Sequence, residues 1–193
     1  MARPVCIPTS LAPRHSGRAL GHLARMRVSI ASSRDAQELA RIQLEAWRAA
    51  YRGLISDAAL GTHNLQERAK FWADRLGKAM GSVFIAEQDG IVGFCDFIPS
   101  EDQDEDPDAT GEIAAIYVEP KHWRRGAGRA LCQHALGEAR RRGYRLVTVW
   151  ALEEVNAARE FYGAMGFSLD GARKAQRLPD GNDIQEIRFR IRL

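Results

Sequence analysis

The sequence predicts a single domain of the mixed α/β class, in which helices flank a sheet that contains one parallel pair of strands. Apolar residues recur with helical spacing in some segments and alternate with polar residues in others. A strand, a helix and a further strand follow one another between residues 112 and 152, and strands joined by such a crossover must run parallel. A chain of 193 residues, 45% of them hydrophobic, can bury one sizeable core.

The first half of the chain predicts a strand, two helices and a hairpin. Ser32 and Ser33 precede the first apolar stripe and are typical of a helix cap. Asp89-Gly90 lies between two apolar runs and strongly favours a hairpin turn. We predict, in order, a strand at 27–30, helices over 35–51 and 64–78, and strands at 82–87 and 91–98.

The second half predicts the parallel pair and a closing hairpin. Gly143 and Gly166 end its two helices, and Pro179-Asp180-Gly181 predicts the last turn. We predict a strand at 112–118, a helix from the glycine-rich turn to Gly143, a strand at 145–152, a helix near 157–165, and strands at 171–178 and 184–193. Residues 101–108, between the strands predicted at 91–98 and 112–118, carry six acids in eight positions. We expect this acidic loop to lie in solvent, with attraction of a cationic substrate as the alternative.

The stretch HWRRGAGRAL, residues 122–131, predicts an anion site. Gly126 and Gly128 let a ligand approach the main chain, and a helix begins here whose first N–H groups have no partner within it. The pattern of a P-loop is absent from the chain, and Leu131 stands where a dinucleotide-binding turn needs its third glycine. Glu153, after the next strand, could imitate a ribose-binding acid and favours the dinucleotide alternative.

The segments YVEPKHWRRGAGRAL, VTVWAL and NAAREFYGAMGF together resemble the GNAT superfamily of N-acetyltransferases over residues 27–193. The resemblance implies a mostly antiparallel, twisted sheet whose central parallel strands splay apart to admit the pantetheine arm of acetyl-CoA. It implies that Ile116, Tyr117 and Val118 pair with pantetheine. It also implies that the diphosphate binds the amides around six residues of the turn: Arg124, Arg125, Gly126, Ala127, Gly128 and Arg129.

The resemblance also assigns two catalytic candidates. Glu112 matches a strand glutamate that acts as general base toward the attacking amine in some members, directly or through water. Tyr162 matches a tyrosine proposed to protonate or hydrogen-bond the leaving sulfur. A solvated glutamate and a core tyrosine are the structural alternatives. Two positions depart from the family pattern. Trp123 replaces the usual Arg or Gln before the first glycine, and the usual asparagine is shifted to Asn156, which is expected to contact the cofactor or only to cap its helix.

The acceptor amine is not identified by the sequence. Trp47 and Tyr51 lie four residues apart on the first helix, where they either pack in the core or form the wall of a substrate pocket. The expected activity is transfer of an acetyl group from acetyl-CoA to a primary amine, on a small molecule or a peptide, in a ternary complex. The alternatives are an acyl-CoA-binding sensor without turnover and a dinucleotide-binding oxidoreductase.

Composition limits the partners and the location. The net charge of +3 includes six arginines and no acid in residues 1–34, so the remainder carries −3 and offers no general nucleic-acid surface. Apolar runs fall far short of the roughly 20 residues that span a bilayer. Three cysteines without framework spacing indicate free thiols and a cytoplasmic protein, and scattered histidines predict no metal site. Dimerisation would suit the family, although no sequence feature requires it.

Residues 1–25 are expected to stand outside the folded domain. They carry three prolines and scattered arginines, without the continuous apolar stretch of a secretory signal. We interpret them as a disordered tail or the product of an upstream start codon, with Met26 opening a single domain over residues 26–193. A transit peptide is the alternative that composition leaves open.

Overall fold

The described residues form seven strands and four α-helices in the order that the sequence predicts. The computed structural model describes residues 26–51, 64–78, 80–177 and 183–193. The strands are β1 (Arg27–Ile30), β2 (Ser82–Glu87), β3 (Ile91–Pro99), β4 (Thr110–Val118), β5 (Leu146–Leu152), β6 (Ser168–Arg177) and β7 (Asp183–Arg192). The helices are α1 (Ala36–Tyr51), α2 (Leu65–Leu76), α3 (Ala127–Arg141) and α4 (Asn156–Ala164), and 3-10 turns cover Ser33–Asp35 and Pro120–His122.

All seven strands belong to one sheet, in the order β1-β2-β3-β4-β5-β7-β6. Every neighbouring pair is antiparallel except β4 and β5, which run parallel. A parallel pair needs a long crossover, and α3 supplies it. The predicted mixed α/β fold with its central parallel pair is therefore confirmed.

The sheet separates two apolar cores. On one side, which we call the α3 face, α3 and α4 pack Leu131 and Phe161 against strand residues such as Val149. On the other, the α1 face, α1 and α2 pack Leu39 and Trp72 against the middle strands. Side chains alternate between the faces along each strand, so the position of a residue in its strand decides which core or site it joins.

Polar side chains attach α2 to the rest of the α1 face. The indole Nε1 of Trp72, which is fully buried, donates a hydrogen bond of 2.8 Å to Oε1 of Gln43 on α1. Arg75 forms a two-bond ion pair with Asp96 on β3, at 2.5 and 3.1 Å. Burial raises the pKa of Asp96, although the guanidinium of Arg75 acts to lower it. Removing one partner of this pair would leave a charge in the interior.

The acidic loop, residues 101–108, is mostly exposed, as expected, but Asp102 and Glu105 are held against the sheet. Arg188 on β7 has a side chain that is 4% exposed, and it binds Asp102 at 3.1 Å, Asp104 at 2.6 Å and Asp170 at 2.7 Å. The Trp150 indole also donates to Asp102. The expectation of a solvated loop is therefore wrong for Asp102, whose side chain is only 11% exposed. The sequence shows the charges but not that β7 carries a buried arginine opposite them.

Four further predictions concern the last turn, the N-terminal tail, the cysteines and membrane-spanning segments. The turn predicted at 179–181 and the tail at 1–25 lie outside the described residues. Cys95 and Cys132 are buried and take part in no disulfide, and burial raises the pKa of the Cys132 thiol to about 12. Among the described residues, no helix has the length and apolar character needed to cross a membrane.

Candidate active site

A gap opens between β4 and β5 in the middle of the sheet. The two strands pair from Thr110↔Leu146 to Ile113↔Val149 and no further, although β4 continues to Val118 and β5 to Leu152. The register between β3 and β4 shifts at the same point, which makes Ala114 an extra, bulged residue. A bulge bends its strand and increases its twist. The bulge therefore accounts for the divergence of β4 from β5.

The register determines which main-chain groups of β4 face the gap. The amide of Glu119 donates to the Val92 carbonyl on β3 at 2.8 Å, so alternation along an antiparallel ladder directs Tyr117 toward β3 as well. Ile116 and Val118 then present their N–H and C=O groups to the gap. The side chain of Tyr117 is fully buried in the α1-face core. Of the three residues predicted to contact pantetheine, Ile116 and Val118 thus direct their main-chain groups toward the gap, and Tyr117 directs its own toward β3.

Trp123 closes the loop that follows β4. Its indole Nε1 donates a hydrogen bond of 2.6 Å to the Val118 carbonyl, and its ring packs, partly buried, against the α3-face core. One of the acceptors at the gap is therefore occupied by the protein itself. The chain between Val118 and Trp123 passes through the 3-10 turn Pro120–His122. The bond between these two residues therefore fixes the direction in which the chain leaves β4 toward the glycine-rich turn.

The glycine-rich turn stands at the open end of the gap. Gly126 has a φ of 93°, and no atom lies within 4 Å of the place where a Cβ would stand. The helix hydrogen bond from the Ala130 amide reaches the Gly126 carbonyl at 2.9 Å, so the three intervening amides have no acceptor inside the helix. Three exposed arginines surround this turn: Arg124, Arg125 and Arg129. An open, positively charged helix start of this kind suits a phosphate group.

The two catalytic candidates lie on opposite faces of the sheet near the closed end of the gap. Glu112, which is 2% exposed, points to the α1 face one residue before the last β4–β5 pair, and its Oε2 accepts from the Glu101 amide at 3.4 Å. Tyr162 is fully buried on the α3 face, 5.4 Å from the Phe189 ring. Phe189 pairs with Val149, where β4 and β5 part. The gap thus has one ionisable candidate on either side.

Comparison with known proteins identifies the family. A model of the acetyltransferase (GNAT) family matches residues 37–167. The chain belongs to the GNAT acetyltransferase family. The uncharacterized N-acetyltransferase YuaI of Bacillus subtilis is 31% identical over 132 residues, which are 67% of this chain and 73% of YuaI. The mycothiol acetyltransferase of Sanguibacter keddieii is 35% identical over 89 residues, 46% of this chain but only 28% of that enzyme.

Solved structures of GNAT proteins share the fold. The structure of yncA from Salmonella typhimurium with its cofactor acetyl-CoA has a TM-score of 0.66 at 22% identity, covering 88% of this chain and 94% of that one. The PaiA N-acetyltransferase from Thermoplasma acidophilum, in complex with coenzyme A, has a TM-score of 0.68 at 15% identity, covering 88% of this chain and 99% of that one. At these identities the likeness concerns the fold, and the enzyme assignment comes from the family match.

Within this GNAT fold, Asn156 does not cap its helix. The N-cap of α4 is Val155, which makes no side-chain cap bond, and Asn156 is the first helical residue and is exposed. The capping expectation is therefore wrong. The dinucleotide alternative also loses its one supporting residue, because Glu153 is paired with Arg173 at 2.5 Å and with Arg159 at 3.4 Å.

Trp47 and Tyr51 lie together on α1. Their rings meet edge-on, with centroids 5.5 Å apart. Tyr51 is fully buried in the α1-face core, and Trp47 is partly buried against that core. These contacts are those of core packing, and the role of the pair in substrate binding stays a prediction.

Two features of the site were not foreseen from the sequence. The Trp123 hydrogen bond depends on the chain's path after β4, which no spacing rule specifies. Thr148, buried on the α1 face beside Glu112, is the polar residue in the otherwise apolar strand LVTVWAL, and this interruption was the available sign. Among the described residues, no group of three or more His, Cys, Asp or Glu side chains could hold a metal ion.

Proposed function

We propose that residues 26–193 act as one domain that transfers the acetyl group of acetyl-CoA to a primary amine by direct attack in a ternary complex. The observation that carries the proposal is the gap between β4 and β5, which ends beside an open helix start. A gap in a sheet exposes main-chain groups that otherwise pair with a neighbouring strand, and an extended ligand with amide groups can satisfy them.

The residues present fit both halves of this cosubstrate. The diphosphate meets the amides at the start of α3, from Gly126 to Arg129, with the arginines of the turn supplying positive charge. The pantetheine arm meets the Ile116 main chain and the Val118 amide, because Trp123 already occupies the Val118 carbonyl. Asn156, exposed at the start of α4, is a further proposed contact.

The catalytic roles follow from the two faces of the sheet. When bound, acetyl-CoA supplies a thioester carbonyl that an amine can attack. Glu112 removes a proton from the amine on the α1 face, so that the nitrogen lone pair is available. Tyr162 donates its phenolic proton toward the departing sulfur from the α3 face. Because the two groups lie on opposite sides, each acts on its own partner without competing for the same proton.

The acceptor enters from the α1 face in this proposal, since the Glu112 side chain lies on that face. Trp47 and Tyr51 belong to the same face and are proposed to shape the far wall of the acceptor site. The carboxylates of the acidic loop are less available for a cationic acceptor, since Asp102 and Asp104 are bound to Arg188.

The test is release of the CoA thiol from acetyl-CoA in the presence of a panel of primary amines that includes polyamines, amino acids and peptides. We expect saturable turnover with at least one amine. Tight binding of acetyl-CoA without turnover on any amine would favour the sensor, and failure to bind acetyl-CoA would overturn the proposal.

Two variants test the assigned roles. Tyr162→Phe is expected to lower kcat about 100-fold, the scale of general acid catalysis. The control is Tyr144→Phe, which changes another tyrosine packed on the α3 face and is expected to leave kcat unchanged.

Glu112→Gln is expected to remove the acidic limb of the pH–rate profile. The control is Glu67→Gln, on the exposed side of α2, which is expected to keep that limb. Wild-type rates in Tyr162→Phe and Glu112→Gln would remove both roles.

A further inference from the structure

Thr148 carries a hydroxyl group that the fold itself does not use. It lies in the middle of β5 and is fully buried, and its Oγ1 has no hydrogen-bond partner among the described residues. A buried hydroxyl without a partner costs free energy relative to an apolar group of the same shape. Valine has that shape and an equal preference for strands. Neither packing nor strand propensity therefore explains why a threonine stands here.

The position of Thr148 places it at the candidate catalytic centre. It pairs in register with Glu112 on β4, one residue before the pair Ile113↔Val149 at which the gap opens. Val147 and Val149 belong to the α3-face core, so Thr148 points to the α1 face, as Glu112 does. The unused hydroxyl and the proposed base are therefore side by side on the face from which the amine arrives.

The charged groups around Thr148 leave Glu112 as its functional neighbour. Arg190 is the register partner on β7, and its guanidinium binds Glu105 of the acidic loop at 3.3 Å. The main-chain amide of Glu101 donates a hydrogen bond of 3.4 Å to Oε2 of Glu112. Arg190 is thus paired with a carboxylate of the acidic loop, and Glu112 is the register neighbour of Thr148 on β4, one pair before the gap opens.

We propose that Thr148 Oγ1 and the Glu112 carboxylate together hold one water molecule that relays the proton from the acceptor amine. Neighbouring strands lie about 4.8 Å apart, and Thr148 makes no direct hydrogen bond to Glu112, so a bridging water suits the separation. The water accepts the amine proton as it gives its own to Glu112, and the freed nitrogen lone pair forms the new bond to the acetyl carbon. The carbon–sulfur bond then breaks, and the CoA sulfur leaves with the proton that Tyr162 donates. The inference rests on the proposed function.

The kinetic test compares Thr148→Val with Thr148→Ser. Valine removes the hydroxyl and keeps the shape, so we expect kcat to fall about tenfold or more, with an unchanged KM for acetyl-CoA. The acidic limb of the pH–rate profile should move to higher pH, since the carboxylate loses a donor that stabilises its charge. Serine should keep kcat within about threefold. The melting temperature of Thr148→Val should not fall, because the hydroxyl has no protein partner to lose.

A crystal structure with CoA supplies a readout other than activity. We expect an ordered water in hydrogen-bond contact with Thr148 Oγ1 and Glu112 in the wild-type protein, and its loss in Thr148→Val. Absence of that water, or wild-type rates and pH profile in Thr148→Val, would overturn the inference while leaving amine acetylation intact. The water in place without turnover on any amine would instead overturn the proposed function.

Discussion

Trp123 shows how one residue adapts a family motif. The resemblance leads us to expect Arg or Gln at this position, where a long polar side chain can contact the turn. The indole instead donates to Val118, five residues earlier, and buries part of its ring under α3. Where the resemblance implies a side-chain contact, this chain has a bond that fixes the turn, and in the proposed function the main-chain amides bind the diphosphate.

We predict that Trp123→Phe weakens acetyl-CoA binding without changing the chemical step. Phenylalanine keeps the packing and loses the indole N–H, so the turn loses the indole bond that ties it to β4. Since a hydrogen bond contributes about 1 kcal/mol net, the KM for acetyl-CoA should rise about fivefold, while kcat stays within about twofold. Initial rates at saturating amine measure both.

The control for this variant is Trp72→Phe, which loses an indole bond to Gln43 in the α1-face core. It should lower the melting temperature and leave the KM for acetyl-CoA unchanged. A Trp123→Phe protein with wild-type KM would contradict the role of Trp123 in fixing the turn.

At the scale of elements, Glu119 joins the end of β4 to α1 and to the following 3-10 turn. Its carboxylate is bound by Arg41 at 2.8 Å, Lys121 at 3.1 Å and His122 at 2.8 Å. Burial acts to raise the pKa of Glu119, but the bonds from Arg41, Lys121 and His122 outweigh it, so the pKa is lowered. The charged form of Glu119 therefore stabilises the folded state.

We predict that Glu119→Gln lowers the free energy of unfolding at neutral pH, and lowers it less once the pH falls below the range in which Glu119 is charged. A carboxylate with a lowered pKa contributes stability above the unfolded value of about 4.3 and loses it as the pH falls through the folded value. The loss should be about 2 kcal/mol at pH 7 and at pH 5, and smaller at pH 3. Urea unfolding at the three pH values measures it. An equal loss at all three would contradict the electrostatic explanation, and Glu67→Gln is the control.

The attachment of α2 gives a second prediction at this scale. Asp96→Asn leaves the Arg75 guanidinium, whose side chain is 12% exposed, without its carboxylate. Breaking a buried pair in this way costs about 3–5 kcal/mol. The double variant Arg75→Met with Asp96→Asn should recover part of that loss, because no unpaired charge remains.

Urea unfolding of the two single variants and the double variant gives the coupling energy of the pair. Lys70→Met, an exposed substitution on the same helix, should change the stability by less than about 0.5 kcal/mol. Additive losses in the double variant would show that Arg75 and Asp96 do not depend on each other.

At the scale of the whole molecule, the gap divides the sheet into two halves. Strands β1–β4 lie on one side, and β5, β7 and β6 on the other. Within β4 and β5, only the four pairs from Thr110↔Leu146 to Ile113↔Val149 join the halves. A ligand that fills the gap adds contacts to both, so it should stabilise the native state as a whole.

We predict that acetyl-CoA raises the melting temperature and that NAD does not. A ligand at 100 times its Kd stabilises the native state by about 2.7 kcal/mol, which corresponds to a rise of roughly 5–10 °C for a domain of this size. Thermal unfolding with matched concentrations of acetyl-CoA, CoA and NAD measures the difference. An equal rise with NAD would contradict the choice of a CoA-type ligand.

The fold could be predicted from the sequence because its elements have strong local patterns. The apolar stripes of α1 and α2, the Asp89-Gly90 turn and the glycine-rich turn each specify local structure from neighbouring residues alone. The boundaries differ by few residues: β4 begins at Thr110 rather than Glu112, and β6 at Ser168 rather than Gly171. Strand ends depend on pairing with a partner strand, which a local pattern does not contain.

The site was only partly predictable. Glu112, Tyr162 and the glycine-rich turn belong to short motifs, so their types and spacing are visible in the sequence. The burial of Arg188 among four carboxylates is not visible in the sequence. This cluster joins residues 102–105 with Asp170 and Arg188, and a local pattern of six acids predicts only a solvated loop. Contacts between segments so far apart require the register of β5, β7 and β6.

Local sequence patterns are enough to specify the order of the elements, the crossover that makes β4 and β5 parallel, and the glycines and positive charge of the turn before α3. The three-dimensional fold is needed to see where β4 leaves β5 and which main-chain groups face the gap. It is also needed to see that Glu112 and Thr148 are neighbours on one face of the sheet while Tyr162 lies on the other. The reason is physical. Local conformation follows from residues near in sequence, whereas a gap and its lining are set by strand register and by one bulged residue, which depend on the pairing of the whole sheet.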